Sequence, residues 1–93
     1  MSTKSLYSIR DLVAEEFAPV FVANNDSTAI RMCAETVKDN KIMSSHLSDY
    51  ALYNLGSFDI FTGEIKPNPL FSTPILMFTD FNDNKEVSVC SEN

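Results

Sequence analysis

The sequence predicts a small α+β domain: an antiparallel sheet in β-β-α-β-β order, one amphipathic helix packed on a face, and an extended C-terminal segment. Three observations predict it. Two short stretches rich in β-branched and aromatic residues precede a single helix-period stretch. Two further strand patterns joined by a glycine turn follow that stretch, and 93 residues leave room for one domain at most.

Lys4 to Arg10 (KSLYSIR) reads as the first strand, with Leu6 and Tyr7 pointing to opposite faces. Asp11 to Glu16 has acidic residues suited to one helical turn. Phe17 to Ala23 reads as the second strand. Pro19 cannot donate to a ladder, which assigns this strand to an edge or puts the proline at a strand start.

Asn24 to Ser27 then offers four consecutive capping residues, and Ile30, Cys33, Ala34 and Val37 recur at i, i+3, i+4 and i+7. This spacing predicts a helix over 27–39, with Arg31 and Glu35 paired on its outer face and Ile30, Cys33 and Val37 against the sheet. Residues 42–49 read as a connecting loop with room for a helical turn. Tyr50 to Phe58 alternates as a central strand, Tyr50, Leu52 and Asn54 on one face and Ala51, Tyr53 and Leu55 on the other. Gly63 supplies the next turn, Glu64 to Lys66 begin the returning strand, and Pro67 stops it. The domain therefore reads as 1–79, with a core at 4–66 and an apolar extended segment at 67–79, followed by an acidic, flexible tail at 80–93.

Composition narrows the function. Two glycines, Gly56 and Gly63, cannot form a Gly-rich phosphate loop. One histidine, His46, and two distant cysteines, Cys33 and Cys90, do not make a structural zinc site, so no metal and no cofactor are expected. The longest apolar run, Phe17 to Ala23, is seven residues against the ~20 of a membrane span, and no signal-peptide pattern opens the chain. A soluble cytoplasmic protein without a membrane partner is expected. Val, Ile, Leu and Phe number 26, enough for a small core whose marginal size favours a homo-oligomer, a dimer in the simplest case. His46, flanked by Ser44, Ser45, Ser48 and Asp49, has the residue types of an acyl-transfer triad. Neighbours in sequence do not acquire triad geometry, and no glycine-framed nucleophile turn is present, so the chain reads as non-enzymatic.

One stretch is more specific. LYSIRDLVAEEFAPVF at 6–21, Asn25-Asp26 opening a helix with Ala29 and Arg31, DYALYNLGSFD at 49–59, and Thr62-Gly63-Glu64-Ile65 occur in an order that resembles one family. It is similar to the small non-structural protein of gokushovirus-type microviruses, tailless bacteriophages with circular single-stranded DNA genomes. The resemblance spans about residues 6–66 and does not extend to the segment from Leu70 onward. It implies a protein of the host cytoplasm, absent from the virion. The role implied is in DNA binding or in the change from duplex replication to single-strand synthesis and packaging. It implies no catalytic residues.

A net charge of −6 disfavours simple coating of DNA, whose non-specific affinity comes from Lys and Arg, so contacts chiefly with protein are expected, with single-stranded DNA as a further partner. Half of that deficit lies in the last fourteen residues, where Asp80, Asp83, Glu86 and Glu92 face only Lys85. A local cationic patch is therefore open to the body of the chain, from Arg31, Lys38 and Lys41 about the helix, or from Lys4, Arg10 and Lys66 near the strands. Tyr7, Tyr50 and Tyr53 are the candidate stacking platforms if they face solvent, but sheet core with wet hydroxyls is the favoured reading of all three. The run Leu70, Phe71, Ile75, Leu76, Met77 and Phe78, kept extended by Pro67, Pro69 and Pro74, reads either as an interface to a phage or host protein or a second copy, or as a last strand of the protein's own sheet.

Overall fold

The computed structural model describes residues 3–81. The acidic segment predicted over 80–93 lies, from residue 82 on, outside the described residues, as does Cys90. The expected α+β class holds: the chain forms an open, wholly antiparallel sheet with helices on one face. The element order is richer than predicted, because the second strand is split, the connecting loop is helical, and the apolar run adds a strand.

Strand β1 (Thr3–Asp11) pairs along its whole length with β4 (Tyr50–Asp59), and these two long strands are the centre of the sheet. The outer flank of β1 is filled by two short strands, β2 (Glu16–Phe17) and β3 (Phe21–Ala23). They replace the single strand expected over 17–23. Pro19 has no amide to give to the ladder, and the kink around it is pinned where Ser8 Oγ donates to Ala18 O at 2.7 Å. The outer flank of β4 is likewise filled by β5 (Ile65–Pro67) and β6 (Leu76–Met77).

The helical turn expected at 11–16 is instead the tight connection between β1 and β2. Asp11 Oδ1 accepts from the amides of Val13 and Ala14, the Glu15 amide donates to Asp11 O, and Glu15 takes a left-handed φ of 61° that sends the chain back. Helix α1 (Asp26–Asp39) begins one residue before the predicted start, because Asn25 is the cap: its Oδ1 accepts from the Thr28 amide at 2.9 Å. Its buried stripe is Ala29, Cys33 and Val37, with Ile30 half-buried beside it. Glu35 pairs with Lys38 at 3.6 Å rather than with Arg31, and both partners are exposed. A second helix, α2 (Lys41–Ser45), occupies the predicted loop, capped by Asn40 Oδ1 on the Met43 amide, and a 3-10 turn at Leu47–Asp49 leads into β4.

One face of the sheet meets these helices. Tyr7, Ala23, Leu52 and Phe78 pack there against Ala29, Cys33 and Val37 to form the core. The predicted sides of β4 hold as far as Asn54. Beyond it a β-bulge intervenes: the partner of Tyr7 is Asn54 and the partner of Leu6 is Gly56, so Leu55 is passed over and the alternation shifts by one. Gly56 is required at this place because a Cβ would run into the carbonyl oxygen of Lys66 in the neighbouring β5.

Candidate nucleic-acid interface

The second face of the sheet carries no helix among the described residues. Register identifies what points out of it. Residues paired across an antiparallel ladder share a face, and successive residues alternate. The side opposite Tyr7 and Ile9 therefore holds Lys4, Leu6, Ser8 and Arg10 on β1, and Ala51, Tyr53, Gly56 and Phe58 on β4. Phe17 and Val22 extend it on one flank, Ile65, Pro67 and Met77 on the other. Phe17 is 43% and Val22 41% exposed, Ile65 and Met77 are exposed as well, and Leu6, Tyr53 and Phe58 are half-buried.

Two properties set this face apart. Its centre is aromatic: the Phe17 ring stands edge-on to Tyr53, centroids 5.2 Å apart, and the Arg10 guanidinium carbon lies 5.1 Å from the Phe17 ring centre. Its charge is of one sign. The charged residues at these strand positions are Lys4 and Arg10, with no carboxylate among them, in a chain whose net charge is −6. The two cations are six residue steps apart along β1, about 20 Å at a strand's rise per residue. Lys4 Nζ donates to Asn24 Oδ1, which holds the ammonium at one end of the face.

The sequence-predicted residues divide between the two sides. Tyr53 lies on the open face. Tyr7, expected as a stacking candidate, is instead fully buried beneath the helix, its ring stacked on Phe21 and its hydroxyl donating to Asp26 Oδ1 at 2.6 Å. Burial, and then the hydrogen bond to Asp26, push that hydroxyl up from 10 to about 12. Tyr50 also turns to the helix side, against Phe78 at 5.9 Å between centroids. Arg31, Lys38 and Lys41 are exposed about the helices, behind the sheet and away from Tyr53, and Lys38 is already paired with Glu35. Lys66 pairs with Ser57, which places it on the helix side too. Among the cations, Lys4 and Arg10 are thus the ones brought together with aromatic rings.

The proposed interface run 70–78 is also divided. Phe78 is core, Ile75 and Leu76 pack against that core, and β6 pairs with Ala51 and Leu52, so this part completes the protein's own sheet. Leu70, Phe71 and Met77 remain exposed. Phe81 follows, edge-on to Phe78 at 5.0 Å. His46 caps the end of α2 with Nδ1 3.0 Å from Ile42 O, and Ser44 Oγ donates to Lys41 O, so both side chains engage the backbone of their own helix. Phe17 and Phe58 were not singled out by sequence reading. Strand parity was the available signal for Phe17, since it falls opposite Arg10 once the first hairpin is closed.

A sheet covered by helices behind and open in front places the chain among small one-sided α+β domains. The chain belongs to the Phage ORF5 protein family, whose model matches residues 4–81, and is accordingly a phage protein. The match includes β1 from Lys4 on, the whole of β4, both helices and every residue of the open face named above. No curated protein and no solved structure matches the chain. No helix among the described residues is long and apolar enough to cross a membrane.

Proposed function

We propose that this phage protein acts without catalysis in genome replication, or in the switch to single-stranded DNA synthesis and packaging, by holding single-stranded DNA on its open sheet face. The gokushovirus-type resemblance supports this setting, in the host cytoplasm and outside the virion. The observation that carries the reading is the coincidence of Phe17, Tyr53 and Phe58 with Lys4 and Arg10 on a face without carboxylates. Bases of any sequence stack on aromatic rings, and each stacked base contributes about 1–3 kcal/mol. Two cations about 20 Å apart contact few phosphates, so the interaction is carried by stacking more than by charge. This reconciles a sheet that binds DNA with a chain that is acidic overall.

The test is a titration of labelled oligo-dT and of duplex DNA at two salt concentrations. Single strands are expected to bind and duplex to bind far more weakly, since paired bases expose no ring faces. With two phosphate contacts the affinity for single strands should fall with salt at a log–log slope of only about −1.4. Absence of binding to oligo-dT at low salt overturns the reading.

A second reading, a homodimer that engages a phage or host protein, draws on the exposed aliphatic residues Val22, Ile65 and Met77 of the same face. Light scattering separates the two: a concentration-independent dimer whose Val22→Glu variant is monomeric supports the second.

A further inference from the structure

On the helix side, a cleft of about 210 Å³ opens between the β1–β2 hairpin and α2. Ile9, Met43 and Tyr50 line it, Phe17 borders it from the end of β2 with its ring turned to the open face, and two carboxylates, Asp11 and Glu16, stand beside them. We propose that this cleft seats one arginine side chain presented by a protein partner.

Size comes first. Sites for whole small-molecule ligands usually run from about 300 to 1,000 Å³, so this cleft suits a single long side chain rather than a nucleotide. Its lining has the two parts an arginine requires. The Tyr50 ring and Met43 accept the flat guanidinium and the alkyl stem, and carboxylates accept its N–H donors in pairs.

The charge arrangement supplies an independent reason. Asp11 and Glu16 are register partners, directly opposite each other on one face of the β1–β2 ladder. Like charges so placed destabilise a strand pair unless a cation lies between them. Asp11 Oδ1 is occupied by the amides of Val13 and Ala14, and the Glu16 carboxylate has no hydrogen bond or ion pair among the described residues. Arg10, next in sequence, points to the opposite face over Phe17 and cannot serve. An incoming arginine would neutralise the pair and fill the cleft together. The cleft opens on the helix side of the sheet, adjoins the open face at Phe17, and does not depend on DNA binding.

The probe is N-acetyl-arginine amide, titrated into the full chain and followed by amide chemical shifts, with the neutral isostere N-acetyl-citrulline amide as control. Saturable shifts are expected at Ile9, Glu16, Met43 and Tyr50 with the arginine compound and not with the citrulline compound. They should weaken at least several-fold in Glu16→Gln, an exposed position whose replacement leaves the core untouched. Non-saturating shifts, equal response to citrulline, or undiminished binding by Glu16→Gln overturns the proposal. DNA affinity measured on the same variant should be unchanged.

Discussion

At the residue scale, one hydroxyl ties the helix to the sheet. Tyr7 donates to Asp26 in the first turn of α1, and Asn54 Nδ2 reaches the same carboxylate oxygen at 3.3 Å, so β1, β4 and α1 converge on one acceptor. Replacing Tyr7 by Phe keeps the ring and deletes a hydrogen bond to a charged group, an expected loss of about 1.5–3 kcal/mol in chemical denaturation. The pH dependence has a definite sign. The Tyr7 pKa is about 12 in the folded chain against 10 for an ordinary tyrosine, so its contribution is complete below pH 10 and lost as pH rises toward 12. Wild type should lose stability over that interval more steeply than Tyr7→Phe, as alkaline unfolding curves will report. Gly56→Ala should destabilise on the order of 1–3 kcal/mol, because the added methyl meets the backbone of β5 rather than a side chain that can rotate away. Neither role was legible beforehand. Alternation says that Leu6 and Tyr7 diverge, but only the docking of α1 decides which of them is buried, and the need for Gly56 arises from a strand ten residues further on.

At the scale of elements, local chemistry was read well where it is local. The helix stood out because its caps and its stripe lie within one continuous segment, and Asn25 and Val37 fall within the predicted pattern. Asn25→Ala should cost about 1 kcal/mol by removing the acceptor for the Thr28 amide, measured as a lowered urea midpoint with unchanged slope. The hairpin turn at Gly63 was equally visible, with φ +80° where glycine is at ease. What failed was the strand over 17–23 and the far end of β4. Pro19 marks an irregularity, but a proline can begin a strand or break one, and the Ser8 contact from another element sets the outcome here. The bulge at Leu55 has no signature in its own residues, yet it moves every later side chain of β4 to the other face.

At the scale of the whole molecule, the fold sorts charge and aromaticity in a way that no single segment reveals. Phe17, Tyr53 and Arg10 come from three strands, and Lys4 and Phe58 join them only because β1 and β4 pair along their whole length. The sequence offered two cationic groups, one about the helix and one near the strands. Tyr53 lies with the second, since Arg31, Lys38 and Lys41 are behind the sheet. Among the described residues, the charged groups at the strand positions of the open face are Lys4 and Arg10, although the chain as a whole is acidic. The most direct measurement is the affinity of a labelled oligo-dT for two variants whose folding is verified by circular dichroism. Phe17→Ala with Tyr53→Ala should weaken binding about 5- to 150-fold for each stacked base lost, while Arg31→Ala with Lys38→Ala should leave it within about twofold. Equal loss in both variants, or loss confined to the helix variant, would contradict the assignment of the open sheet face as the DNA-binding surface.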